Sequence, residues 1–195
     1  MKLLNKIRRY INISGIAPLS RRYFVMNAFD GTTTILGIVA GASVAGITDE
    51  YWIVWPGLGA ALAMSLSGFV GVYMTEEAER TGEMKTLEKS MLTELKDTVV
   101  GRASRFASLW AALVGGLAPA LAALACLLPF LLSLAGVFST ASANQLSIVV
   151  SLTIMFILGA LLGRISKRSM VLHGMRMLIV GLIIMSVFLL LKVAS

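Results

Sequence analysis

The sequence predicts an all-α integral membrane protein with five transmembrane helices. Its N-terminus is expected in the cytoplasm and its C-terminus outside or in a lumen, with a short cytoplasmic helical segment between spans 2 and 3. Three observations predict this. The 195 residues are 57% hydrophobic and only 14% charged, with mean hydropathy +0.87, against about 45–50% apolar and about 25% charged in soluble domains. Five apolar runs reach the roughly 18 residues that cross a hydrocarbon core of about 30 Å. The basic residues gather in alternate connections between those runs, as the positive-inside rule requires. That placement also accounts for the net charge of +7 without a nucleic-acid partner, and none is expected.

Residues 1–22 form a basic N-terminal segment, in which Lys2–Ile13 has the pattern of a surface-lying amphipathic helix or a short topogenic tail. Pro18 is expected to end that stretch. Asn12, Ser14 and Pro18 interrupt any signal-peptide core, and no small-x-small cleavage site follows before the first span.

Spans 1 and 2, Tyr23–Ile47 and Trp52–Met74, make up a membrane segment over 23–74. Span 1 holds Asp30, the one acidic side chain placed within a span. Two readings are open. Asp30 can sit in the membrane about 10 Å along a helix that starts near Tyr23, where a carboxylate by default marks an ion or substrate pathway. Alternatively, "DGTTT" can be a helix start, with Asp30 as N-cap and span 1 beginning at Gly31. The apolar run Tyr-Phe-Val-Met-Asn-Ala-Phe before Asp30 favours the first. On that reading Asn27 and Thr34 share its face and, with Asp30, line a path. In span 2, Met64 lies mid-span and Met74 at the cytoplasmic end. Both thioethers are ordinarily packing residues, and Met74 gains interest from the acidic run that follows it.

Residues 75–105 form an acidic, methionine-containing cytoplasmic segment. From Glu76 to Asp97 it has helical propensity apart from Gly82, with an apolar stripe of Met84, Leu87, Met91 and Leu95. Glu76, Glu79 and Glu83 recur on one helical face, near enough to share a cation, with Met84, Glu88 and Met91 as further ligand candidates. Carboxylates beside thioethers suit Fe²⁺ or Mn²⁺ better than Ca²⁺ or Mg²⁺. The competing reading is a solvated amphipathic helix in which Lys85, Lys89 and Lys96 neutralise the acids.

Residues 106–195 supply span 3 (Phe106–Leu134), span 4 (Leu146–Gly163) and span 5 (Met170–Leu191). Span 3 is long enough to tilt or to kink at Pro119 or Pro129. Gly37 with Gly41, the series Ala63–Ser67–Gly71, and Gly159 with Gly163 have helix-packing spacing, suited to a compact bundle or a dimer. Cys126 is the lone cysteine, so no disulfide or CxxC site forms within one chain. His173, the lone histidine, stands at the start of span 5 as a packing residue or a participant in a proton-linked step.

The stretches "NAFDGTTTILGIVAGA", "ALAMSLSGFVGVY", "LVGGLAPALAALACLLPFLL" and "GMRMLIVGLIIM" follow one another through the spans. In this order and with this span count, the chain resembles the vacuolar iron transporter family, five-span dimeric exporters of divalent metals thought to exchange the metal for protons. The resemblance implies that Asp30 corresponds to the metal-binding aspartate of the family's span 1 and Met64 to a path-lining methionine. It also implies that the Glu and Met residues between spans 2 and 3 correspond to cytoplasmic metal-collecting helices. Two departures mark a short, divergent member. Gly68 and Phe69 of "SGFVGVY" stand where the family usually carries a glutamate, and the cytoplasmic insert is much shorter.

The expected function is therefore export of Fe²⁺ or Mn²⁺ from the cytoplasm, by proton exchange through Asp30. The chain is expected to work as a homodimer in a lipid bilayer, in the cytoplasmic membrane of a prokaryote or in a vacuolar or organelle membrane of a eukaryote. No bound cofactor is expected beyond the transported ion. The alternative is a non-transporting scaffold or assembly protein whose small-residue faces bind other helices. An enzyme is not expected: no second membrane acid stands near Asp30, and no GxSxG-like turn accompanies His173.

Overall fold

The computed structural model describes residues 10–11, 14–137 and 139–194. Apart from Tyr10 and Ile11, the basic segment Lys2–Ile13 lies outside them. Five helices follow in order: α1 (Ile16–Val44), α2 (Tyr51–Met91), α3 (Val99–Leu134), α4 (Thr140–Ile165) and α5 (Met170–Ala194). Each is long and apolar enough to cross a membrane, and the described residues contain no strand.

The helices extend further than the hydropathy suggests. α1 begins at Ile16, so Pro18 sits in its first turn instead of closing the preceding stretch. There the missing N–H removes no helical bond, because the first four amides have no partner one turn back. α1 then continues through Asp30, which overturns a helix start at Gly31. α2 continues from its apolar half through Gly82 to Met91 as a single 41-residue helix. One glycine among strong helix formers costs about 1 kcal/mol, too little to break it. α1 and α3 close in hydrogen-bonded turns at Gly46 and Gly136, and Ser139 caps α4 by accepting the Ser142 N–H.

Polar side chains within the helices largely satisfy themselves. Thr32, Ser43, Thr75, Ser151, Thr153 and Ser186 each donate to the carbonyl four residues earlier. This suits a medium in which an unsatisfied polar group costs several kcal/mol. Ser147 instead donates across to the Cys126 carbonyl at 2.7 Å.

The chain divides into two compact units. Unit 1 comprises residues 1–24 and 65–117. Its core sets Ile16, Leu19 and Tyr23 of α1 with Val72 of α2 and with Ala107 and Ala111 of α3. Gly115 and Gly116 of α3 meet Val72 and Phe69 of α2 closely.

Unit 2 comprises residues 25–64 and 118–195. Its main core gathers Ile35, Val39, Ile53, Val54, Leu127 and Phe130, with Met64 packed at the edge. A second cluster joins Val25 and Ala28 to Ala118, Ala122 and Leu158. The closest approach is backbone to backbone: a Cβ on Gly31 would fall 2.4 Å from the Pro119 carbonyl oxygen. α4 and α5 are joined in the same manner, a Cβ on Gly159 falling 2.4 Å from the His173 carbonyl oxygen. Small residues at such contacts are how helices associate in lipid, where apolar burial supplies no driving force. Of the other spaced small residues, Gly41 meets the Phe188 ring, while a Cβ on Gly37 or Gly71 would meet open space.

Candidate functional site

Asp30 occupies the midpoint of α1, fourteen residues from either end of Ile16–Val44, and is exposed. Its neighbours Gly31 and Thr32 are buried, so the turn that carries the carboxylate is held against α3 on one side and open on the other. Met26, one turn earlier, is 57% exposed and extends the open face. Asn27 and Thr34 are half-buried on either side of Asp30 along α1. Met64 is half-buried on α2, against the unit 2 core. Unit 2 therefore carries Asp30, Asn27, Thr34 and Met64 together.

Met74 lies in unit 1, exposed on α2, and beyond it the expected face of three carboxylates divides. Glu76 is 1% exposed. Its carboxylate accepts the Tyr23 hydroxyl at 2.9 Å and pairs with Arg80 Nε at 3.0 Å. Arg80 Nη1 reaches the Ser14 carbonyl at 3.5 Å, and the Arg22 guanidinium lies over the Tyr23 ring. Helical spacing does align Glu76 with Glu79 and Glu83, but this part of α2 turns Glu76 inward to α1 and leaves the other two exposed. Glu76 is thus held by a guanidinium and a phenol, the partners a buried carboxylate requires. Glu88 is also engaged, since its Oε1 accepts the Leu95 N–H at 2.8 Å and closes the turn after α2. Met84 is half-buried and Met91 exposed. Among the described residues, no group of three or more His, Cys, Asp or Glu side chains is arranged to hold a metal ion.

One polar centre escaped the sequence reading. Glu50, in the α1–α2 connection, accepts the Ser133 hydroxyl at 2.6 Å and also that of Thr140. One carboxylate thereby ties the α1–α2 connection to both ends of the α3–α4 connection. The hydroxyl of Ser133, then that of Thr140, hold its carboxyl below the usual range. The only advance signal was an acid in a loop without cations. His173 Nδ1 donates to the Ser169 carbonyl at 3.0 Å in the first turn of α5.

A profile of the VIT family matches residues 21–103, the stretch that holds Asp30, Met64 and the acidic half of α2. An uncharacterized protein of Methanocaldococcus jannaschii is 31% identical over 159 residues, which are 80% of each chain. With five helices fit to cross a membrane and a carboxylate midway along the first, the chain belongs to the VIT family, multi-pass membrane proteins that transport metal ions.

Proposed function

We propose that the protein exports Fe²⁺ or Mn²⁺ from the cytoplasm as a homodimer, in exchange for protons, with Asp30 of each copy in the ion path. The observation that carries this reading is the exposure of Asp30 at the centre of α1. A charged carboxylate at that depth costs about 2.5–3.5 kcal/mol against lipid. A second copy laid over the Met26–Asp30 face removes it from lipid, and two-fold symmetry brings the same carboxylate from each side. Two facing carboxylates match the charge of a divalent ion, and they repel each other when it leaves. Protons then return to the site, which couples metal release to proton uptake.

Asn27, Thr34 and Met64 supply the amide, hydroxyl and thioether that replace hydration water along the way. Thioether and carboxylate together favour a borderline transition metal over Ca²⁺ or Mg²⁺. The six Lys and Arg residues within 75–105 support a cytoplasmic placement for that end, where the exposed pair Glu79 and Glu83 and the Met74 thioether attract the ion. Glu76 and Glu88 hold the surrounding fold. The cytoplasmic membrane of a prokaryote is the membrane this reading assigns.

The test is metal uptake into inside-out proteoliposomes, read together with lumenal pH. Asp30→Asn is expected to abolish both metal flux and the coupled proton movement, while chromatographic size and melting temperature stay near wild type. Flux unchanged in a correctly assembled Asp30→Asn protein refutes the mechanism.

A further inference from the structure

Unit 1 contains a cleft that the transport reading does not use. It lies between the last turns of α2 and the first turns of α3, measures about 290 Å³, and takes Lys85, Lys96 and Arg105 into its wall with the hydroxyl residues Thr81, Ser104 and Ser108. Arg80 also lines it, with its charge set against buried Glu76. Two carboxylates share the wall, Glu77 and Glu88; Glu88 spends one oxygen on the Leu95 amide. The three remaining cations thus outweigh the acids, which disfavours a metal ion and favours an anion.

The geometry is suited to a phosphate. Arg105 Nη2 donates to the Lys96 carbonyl at 2.9 Å, which ties the guanidinium to the α2–α3 connection and fixes a planar fork of donors at the wall. The cleft also takes in Gly101, in the first turn of the 36-residue helix α3. The Gly101 N–H is occupied by the Thr98 hydroxyl at 3.4 Å and Asp97 precedes that cap, so the helix end contributes its dipole alone and the cationic side chains carry the site.

The surroundings indicate where the phosphate comes from. Arg105 directly precedes Phe106, whose ring stacks on Trp110 at 6.1 Å, an aromatic pair of the kind that marks the membrane–water boundary. Past the cleft, α3 exposes Leu109 and Leu113, an apolar surface fit for acyl chains. Polar and cationic groups lie at the boundary and bare leucines beyond it. Basic pockets between transmembrane helices bind lipid head groups through this arrangement.

We infer that this cleft is a binding site for the phosphodiester head group of an anionic phospholipid, whose acyl chains lie along α3. The site stands independently of the transported ion and of Asp30.

The experiment is native mass spectrometry of the purified full-length protein in neutral detergent, supplied equally with phosphatidylglycerol and phosphatidylcholine. Retained phosphatidylglycerol is expected to exceed phosphatidylcholine at least fivefold, the factor expected from about one effective surface cation. Lys96→Gln/Arg105→Gln is expected to bring the ratio near one, and Lys192→Gln on α5, outside the cleft, to leave it unchanged. If the double variant melts well below wild type, the single exposed change Lys85→Gln replaces it, with an expected fall of about fivefold. Equal retention of the two lipids, or a preference that survives removal of these cations, overturns the site. Loss of bound phosphatidylglycerol to millimolar inorganic phosphate overturns the lipid assignment.

Discussion

Replacing Arg80 with leucine leaves Glu76 a buried carboxylate without its cation. In the native protein the Glu76 side chain is 1% and that of Arg80 12% exposed, with 3.0 Å between Nε and Oε2. Removing one partner of such a pair costs about 3–5 kcal/mol, because the charge left behind cannot be resolvated. The Tyr23 hydroxyl still donates to Glu76 in the variant, so the low end, about 3 kcal/mol, is expected. For a chain of this size that lowers the melting temperature by roughly 6–12 °C. The assay is thermal unfolding in detergent followed by tryptophan fluorescence, to which Trp110 of the same unit contributes. The decisive comparison is Glu76→Leu/Arg80→Leu. Exchanging a whole buried ion pair for apolar residues is often neutral, so the double variant is expected to recover most of the loss. An Arg80→Leu protein within about 2 °C of wild type, equivalent to less than about 1 kcal/mol, refutes the argument. So does a double variant no more stable than the single one.

Tyr23→Phe removes a hydrogen bond to the same carboxylate and is expected to destabilise by about 1.5–3 kcal/mol, checked by the same melts. Gly31→Ala drives a methyl into the Pro119 backbone at 2.4 Å, where no side chain can move aside. A loss at or above the upper end of the usual 1–3 kcal/mol for overpacking is expected, and a neutral result means that α1 can shift away from α3. Glu50 gives a pH dependence of known sign. Its folded carboxyl is held below its ordinary value of 4.5 by Ser133 and Thr140, so its contribution is complete above that value and is lost as pH falls through the lower folded one. Melting temperature is therefore expected to drop below about pH 4.5, and less steeply in Glu50→Gln than in wild type.

The five helices and their order were legible because a span announces itself by length and hydropathy alone. Helix ends were less so. The span ending at Met74 and the helical segment expected from Glu76 to Asp97 are one helix, because a change of solvent is not a change of backbone: the peptide hydrogen bonds continue to Met91, short of Asp97, whether the side chains are greasy or acidic. Pro18 misled in a similar way, since its effect depends on whether the turn before it exists. Asp30 as an in-helix residue was readable from the apolar run in front of it. The inward turn of Glu76 was not, for its phenol partner lies 53 positions away. Glu50 was equally opaque, with partners 83 and 90 positions distant. Periodicity tells which residues share a face, and only tertiary contact tells which way that face looks.

The bare glycine next to Asp30 restricts what the aspartate can do. With backbone seated on backbone at Gly31 and Pro119, α1 has no cushion of side-chain atoms through which to roll or slide at this level. On the transport mechanism proposed above, a cation arriving there meets a negative charge on a stiff mount, not a ligand that adjusts to ionic radius. Discrimination between metals of similar size must then come from whatever softer donors complete the coordination sphere.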